Sequence, residues 1–159
     1  MVLVSIIAVI ILILSLFNGF REGALKQAVS IISILAAIPL AGLCYNWLAS
    51  LFSFMPGENW ENFVGFFLTM GIIMVLIQLL FWLPRRHFEK VWKEELLFRS
   101  IGAVLSFFSA AIGMVIFALV LNAYPIFDWL QSAVSGSGVI NWLGSWLGFV
   151  QSMLPSVFG

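Results

Sequence analysis

The sequence predicts an all-α integral membrane protein with four transmembrane helices, a cytoplasmic amphipathic linker and a C-terminal interfacial or re-entrant helix. Hydrophobic residues make up 63% of the chain and charged residues only 9%, whereas soluble domains usually carry about 25% charge. The apolar residues are concentrated in four long runs without charge, at 1–20, 27–57, 62–84 and 100–127. Because a helix needs about 20 apolar residues to cross the hydrocarbon layer, each run can form one transmembrane helix.

The first two spans are predicted at about 1–20 and about 24–54. The N-terminal run has neither a basic segment nor a small-residue cleavage site, so we do not expect a removed signal peptide. The second run is longer than one crossing requires and contains Pro39. An interior proline loses one helix hydrogen bond and kinks the helix, so we expect one long, bent helix.

The third and fourth spans are predicted at about 62–84 and about 100–124. Each is followed or closed by a proline, Pro84 in the third and Pro125 after the fourth, and proline interrupts the helical hydrogen-bond pattern. The four spans and the linker between the last two form a transmembrane domain of residues 1–125.

The linker, residues 85–99, is the most polar part of the chain. Glu89 and Lys93 stand four residues apart, a spacing that supports a helix. Trp92 and other apolar side chains alternate with the charges, which is typical of an amphipathic helix anchored at the lipid headgroups. The alternative is a docking site for a cytosolic partner or an anionic lipid.

Residues 126–159 are predicted to form an outer-face interfacial segment. A Ser-Gly-Ser-Gly break at 135–138 precedes a charge-free run at 139–154. As a helix this run would be about 24 Å long, which is short of a full span. We therefore expect an interfacial or shallow re-entrant helix, and a fifth span is the alternative. Apolar residues recur in it at helical spacing, namely Ile140, Leu143, Leu147, Val150 and Leu154.

Small and polar residues form the opposite face of this helix, namely Asn141, Ser145, Gly148 and Ser152. Three tryptophans of the tail, Trp129, Trp142 and Trp146, are candidate interfacial anchors, because tryptophan is enriched at headgroup level.

The distribution of basic residues predicts the orientation. All seven Lys and Arg fall in the gap between the first two spans and in the linker. Short loops rich in Lys and Arg remain cytoplasmic, so both termini are expected on the outer, periplasmic side. The inner loops carry these seven cations and four carboxylates, a net charge of +3, whereas the outer segments carry three carboxylates and no cation, a net charge of −3.

The same composition argues against several functions. No Asp, Glu, Lys, Arg or His lies within a span core, and such groups mark proton and ion pathways. The one histidine, His87, is cytoplasmic in this topology whereas Asp128 is outside, so the two are not expected to join a Ser-His-Asp triad. With a net charge of zero there is no electrostatic case for nucleic acid, and no metal-binding or cofactor motif is present in the sequence. The expected partners are the lipid bilayer and a membrane protein or a second copy of the chain.

Two sets of small residues predict close helix packing. Gly102, Ser106 and Gly113 lie on one face of the fourth span, where small side chains allow another helix to approach. Gly19 and Gly23 flank Arg21 after the first span and permit a tight turn, so the first two spans are expected to form a close hairpin. Gln78 and Asn122 are interpreted as hydrogen bonders between helices.

These residues resemble the colicin V production protein (CvpA) family over most of residues 1–135. The turn Gly19, Arg21, Gly23 is similar to a G-x-R-x-G element of that family, and Arg99 with Gly102 looks like its R-x-x-G element. A segment after the last span also resembles the family, through Pro125, Trp129 and Ser132.

The chain departs from the family pattern at several polar positions. Val4 and Ser5 stand where an acid is expected, Phe98 where an Asp often precedes the arginine, and Ser106 where a glycine is usual. Lys26 and Gln27 stand near an expected Glu.

The resemblance implies a small bacterial inner-membrane protein connected with colicin export and envelope stress, without established enzymatic chemistry. Some relatives carry a periplasmic serine-protease domain after the last span, and this chain is not expected to have that activity. The leading hypothesis is a non-enzymatic protein that acts through helix-helix and interfacial contacts. An accessory subunit of a larger, energy-transducing membrane complex is the first alternative, and a small channel or carrier is the second.

Overall fold

The computed structural model describes residues 2–52, 54, 57–92 and 96–154, with side chains for all of these except 58 and 83–92. These residues form α-helices and one short 3-10 turn at Ser50–Phe52, and the described ranges contain no strand. The α-helices, in chain order, are α1 Val2–Glu22, α2 Ala24–Ala49, α3 Glu58–Trp92, α4 Leu96–Ala123, α5 Asp128–Ser135, α6 Gly138–Trp146 and α7 Gly148–Met153.

The four longest helices, α1 to α4, are long and apolar enough to cross a membrane. Their apolar stretches cover Val2–Glu22, Ala24–Phe52, Asn59–Trp82 and Leu96–Ala123. The predicted multi-pass membrane protein with four transmembrane helices is thus confirmed, and each stretch lies close to the predicted span.

The helices pack in the order α1, α4, α2, α3, with α4 between α1 and α2. The ends of α2 and α3 meet at Gly65, where a Cβ atom would lie 2.9 Å from the Ala49 Cβ. In contrast, α1 and α2 contact each other little, so the predicted close hairpin of the first two spans is wrong. The reason is that α4 fills the space between them, because its small residues allow close approach from α1.

The core of the bundle lies between α2, α3 and α4. Ile38, Phe66 and Ile116 are fully buried there, and the alanines Ala37 and Ala41 of α2 are also fully buried. Small side chains at helix contacts let backbones approach and gain dispersion energy, which matters in a bilayer because lipid tails compete for apolar surface.

The outer faces of α1 and α3 carry large exposed apolar side chains. Ile6, Ile13 and Phe17 of α1 are exposed, as are Leu76 and Leu80 of α3. A transmembrane helix at the edge of a bundle shows such a face toward lipid.

Both interior prolines lie within continuous helices. Pro39 lies inside α2, as expected for one long helix, and the bend predicted there stays a prediction. The predicted end of the third helix at Pro84 is wrong, because α3 continues to Trp92. Proline removes one backbone hydrogen bond, and the bonds of the turns on either side maintain the helix.

The predicted linker is therefore divided. Its residues 85–92 extend α3, and its last four, 96–99, begin α4. The Glu89–Lys93 pair and the Trp92 anchor lie outside the described side chains and stay predictions.

Residues after α4 form three short helices that pack against one end of the bundle. The five apolar positions identified from the spacing are all buried, and the opposite small and polar face is exposed. The single predicted helix is instead two, because Leu147 leaves helical geometry at φ −104° and ψ 31° between α6 and α7. Neither α6, with 9 residues, nor α7, with 6, approaches the about 20 residues of a span, so the fifth-span alternative is wrong.

Candidate functional site

The glycines of the two sequence motifs meet where α1 and α4 cross. A Cβ atom at Gly19 would lie 2.3 Å from the Gly102 carbonyl oxygen and 2.4 Å from the Ser106 Cβ. A Cβ atom at Gly102 would lie 2.6 Å from the Gly19 carbonyl oxygen. These distances are shorter than any carbon contact in a folded protein, so the two backbones touch and neither position has space for a side chain.

Gly23 makes the turn between α1 and α2. It is the single residue between the two helices, with φ 84° and ψ 165°, and its N–H donates to the Gly19 carbonyl oxygen at 3.0 Å. This combination of angles is open essentially only to glycine. The turn also touches α4, since a Cβ atom at Gly102 would lie 2.6 Å from the Gly23 carbonyl carbon. One point of α4 therefore contacts the end of α1 and the turn.

We name this end of the bundle, comprising residues 19–27 and 96–106, the basic end. Arg99 lies over the ring of Phe20, with its Cζ 5.8 Å from the ring centroid. Such cation–π contacts contribute about 0.5–1 kcal/mol at exposed sites. Phe20 was not singled out by sequence reasoning, although it lies inside the G-x-R-x-G element.

The acid of the basic end, Glu22, is occupied by two donors. Lys26 forms an ion pair with Glu22 Oε1, and the Gln27 side-chain amide donates to Glu22 Oε2 at 2.7 Å. Gln27 is only 5% exposed, so this bond satisfies a buried polar group. The sequence analysis placed Lys26 and Gln27 near a Glu expected from the family but did not predict that they bind Glu22. The signal that could have indicated it is a glutamine at the start of an apolar run, where a buried amide needs a partner.

Arg21 is exposed and forms no hydrogen bond or ion pair with another described residue. The expected cap on carbonyls at the end of α1 is therefore absent from the described part of the chain. The expected pair with Glu89 lies outside the described side chains.

Gly113 does not belong to the crossing. No atom lies within 4 Å of the position its Cβ would occupy, so the predicted contact with another helix of this chain is wrong. Of the three small residues predicted on this face of α4, only Gly102 and Ser106 contact α1, because the two helices approach closely only there.

A second set of polar contacts lies at the opposite end of the bundle, which we name the tail end, comprising residues 2–8, 45–52, 57–66 and 120–154. The Ser5 and Ser137 hydroxyls are 2.9 Å apart, and Ser137 is fully buried. Ser5 is one of the two residues at the position where the family resemblance led us to expect an acid. It joins the start of α1 to the break before α6.

Two tyrosine hydroxyls also pair at the tail end. The Tyr45 and Tyr124 oxygens are 2.9 Å apart. This bond connects α2 to the residue that follows α4.

The remaining predicted site residues are at the tail end and away from the crossing. Ser132 is exposed on α5, and its hydroxyl makes no hydrogen bond to a described residue. Trp129, Trp142 and Trp146 are all exposed, and the Trp142 and Trp146 ring centroids are 5.6 Å apart.

Three further polar residues of the spans lie on the outside. Asn18, Gln78 and Asn122 are exposed, and none bonds to another described residue, so the interpretation of Gln78 and Asn122 as hydrogen bonders between helices finds no contact here. Among the described residues, no three of His, Cys, Asp and Glu cluster to hold a metal. The arrangement can pack helices and present cations.

Comparison with known proteins identifies a family. The family model described as Colicin V production protein matches residues 4–153, nearly the whole chain. Neither the curated proteins nor the solved structures contain a match to this chain.

Proposed function

The chain belongs to the colicin V production protein family, and on that premise we propose that it is a non-enzymatic protein of the bacterial cytoplasmic membrane. We propose that it supports colicin export and resistance to envelope stress through contacts between helices and at the membrane surface. It is a multi-pass membrane protein by its family and by its four long apolar helices.

The observation that carries this proposal is the crossing of Gly19 and Gly102. It brings together two of the short motifs by which the chain resembles the family, and both contribute backbone surface. Glu22 is engaged with Lys26 and Gln27. These residues support a role in which the basic end holds a fixed shape that a partner can recognise.

The orientation is part of the proposal. The α1–α2 turn and the start of α4 lie at the same end of the bundle, because Gly19 and Gly102 touch there. All seven Lys and Arg belong to the two connections that lead to this end. The positive-inside bias then supports a cytoplasmic basic end and a periplasmic tail end, with both termini outside.

We assign the tail helices to the outer headgroup region. Trp129, Trp142 and Trp146 are exposed, while the buried apolar face of the helices α6 and α7 packs on the bundle. Exposed tryptophan is favoured at the membrane–water boundary. This supports a position at the headgroups over one in which the apolar face of α6 and α7 is immersed in lipid.

Complementation tests the proposal. A strain that lacks its own copy is supplied with wild-type protein, with Gly102→Leu or with Gly113→Leu, and colicin release and growth under envelope stress are measured. Gly102→Leu should abolish both because no side chain fits at the crossing, whereas Gly113→Leu should restore both because its site is open. Full activity of Gly102→Leu at normal abundance would contradict a role for the crossing.

An accessory subunit of a larger membrane complex is the second candidate. The open position at Gly113 favours it, because a small residue on a transmembrane helix lets a foreign helix approach. Purification in mild detergent, followed by mass spectrometry of co-purifying chains, tests it. A stoichiometric partner that is lost in Gly113→Leu supports this candidate, and a chain that purifies without partners removes it.

A further inference from the structure

An apolar groove lies between α3 and α4 near the tail end. It is lined by three phenylalanine rings and two aliphatic side chains, namely Phe63, Val64, Phe67, Leu68 and Phe117. Its volume is about 450 Å³, which is within the range of pockets that bind small ligands. The Phe63 and Phe117 rings meet edge to face with their centroids 6.0 Å apart, so aromatic rings of both helices form one wall of the groove.

The groove continues along α3 beyond Leu68. A second depression shares Leu68 with the first and is otherwise lined by Gly71, Ile72, Val75 and Leu76. No atom lies within 4 Å of the position that a Cβ atom of Gly71 would occupy, so space is open there. From Val64 to Leu76 this stretch of α3 is about 18 Å long, slightly more than one leaflet of a hydrocarbon layer of about 30 Å.

A carboxylate stands at the tail end of this groove. Glu61 precedes Val64 by three residues and Leu68 by seven, and these spacings place the three side chains on one face of the helix. Gly71 and Val75 follow Glu61 by ten and fourteen residues and fall on the same face. Glu61 is partly exposed and makes no ion pair with a described residue, and the described cationic side chains all lie at the basic end.

The groove and the carboxylate together favour a lipid over a protein helix. Transmembrane helices approach closely where small residues line the contact, and Gly71 is the one small residue among those that line the groove. A flexible acyl chain can follow the bulky side chains on either side of it. A headgroup that carries an ammonium can form a charge-assisted hydrogen bond with Glu61, whereas an anionic headgroup is repelled by it.

We propose that this groove binds phosphatidylethanolamine, with the ammonium of the lipid on the Glu61 carboxylate and one acyl chain along α3 from Val64 to Leu76. The proposal goes beyond the proposed function and does not depend on the orientation of the chain, because the carboxylate and most of the groove belong to one helix.

Native mass spectrometry of the purified full chain in detergent tests this. Phosphatidylethanolamine and phosphatidylglycerol with the same acyl chains are added separately, and the fraction of protein that retains one lipid is measured. Wild-type protein should retain phosphatidylethanolamine about fivefold better, the ratio that one charge at the lipid surface gives. Glu61→Gln should remove this preference. Equal retention of the two lipids by wild type overturns the proposal.

Asp128→Asn is the control for charge. It removes a carboxylate from the same end of the bundle, and Asp128, on α5, does not line the groove. This variant should keep the preference of the wild type. If it loses as much of the preference as Glu61→Gln does, the preference reflects total charge and the assignment to Glu61 fails.

Gly71→Leu tests the apolar part of the site. The new side chain should occupy the groove and weaken retention of both lipids about tenfold, as expected when about two methylene groups of the acyl chain are no longer buried. Ile13→Phe is the control, because it adds bulk to an exposed side chain of α1, at the other edge of the bundle from α3. Equal retention by the two variants would contradict binding in the groove.

Three further outcomes are decisive. Phosphoethanolamine, which lacks acyl chains, should not displace the lipid at equal concentration, and displacement would mean a site for a free amine. If Gly71→Leu does not fold, phosphatidylethanolamine with shorter acyl chains replaces it, and retention equal to that of the longer lipid contradicts the placement of the chain. A second protein chain retained in place of the lipid would make the groove a protein interface and overturn the proposal.

Discussion

Gly19 and Gly102 contact each other through their backbones, and a methyl group on either would overlap the opposite helix. The contact joins the last turn of α1 to the first turns of α4, two segments separated by about eighty residues in the chain. Because lipid offers apolar side chains nearly the same environment as another helix does, such close backbone packing is what distinguishes this interface from the lipid-facing surface.

Alanine at either glycine should therefore destabilise the bundle. We expect Gly19→Ala and Gly102→Ala to lower the free energy of unfolding by about 1–3 kcal/mol, the usual cost of overpacking. Thermal unfolding in detergent measures this.

Gly113→Ala is the matched control on the same helix. Its added methyl group meets no atom within 4 Å, so only helix propensity changes, and that favours alanine by up to about 1 kcal/mol. Three variants with equal stability would contradict the crossing.

The turn should reject every residue except glycine. At Gly23, φ 84° is combined with ψ 165°, which lies outside the left-handed helical region that asparagine tolerates. Gly23→Ala and Gly23→Asn should thus be equally destabilising, by about 1–3 kcal/mol each.

Unfolding of both variants is compared with that of Gly144→Ala, a helical position on α6 where a Cβ meets no atom within 4 Å. This control should match wild type or exceed it slightly. A clear rescue by asparagine relative to alanine would show that the turn has a different backbone conformation.

Loss of Glu22 should cost more than loss of its exposed partner. Glu22→Ala leaves the buried Gln27 amide without its acceptor, which costs about 1–3 kcal/mol. Lys26→Ala removes only a partly exposed ion pair, worth at most about 1 kcal/mol. Chemical unfolding of the two variants under the same conditions measures the difference, and the reverse order of stability would contradict the role of Gln27.

Arg21 should behave as a positive anchor. It is exposed and without a described hydrogen bond, so its charge is the property that matters for membrane position. Arg21→Lys should preserve abundance and complementation, and Arg21→Ala should reduce them. If both variants behave as wild type does, Arg21 is not a functional residue; if lysine fails as alanine does, the role requires a guanidinium.

The spans were predictable from the sequence because a bilayer demands long apolar runs, and these are visible without any knowledge of packing. The buried apolar face of α6 and α7 was predictable for a related reason. Leu143 and Val150 face the bundle while Asn141 and Ser152 face out, so the helical period separates the two environments.

The order of the helices was not predictable, because Ile13 facing lipid and Ile116 inside the bundle are chemically alike. For the same reason the spacing of small residues on α4 did not reveal where its contact with α1 ends. Gly113 was therefore assigned to an interface that ends before it. The continuation of α3 through Pro84 was missed because a proline signals a lost hydrogen bond, not a necessary end.

Cysteine labelling in intact cells tests most directly the claim that the basic end is cytoplasmic and the tail end periplasmic. The exposed Cys44 is first replaced by serine, and single cysteines are introduced at Lys90, Glu58 and Ser132. A membrane-impermeant maleimide should label positions 58 and 132 from outside and position 90 only after the cells are opened. Labelling of position 90 from the periplasm would contradict the orientation, and labelling of positions 58 and 90 both from the periplasm would contradict the four-span account of this protein.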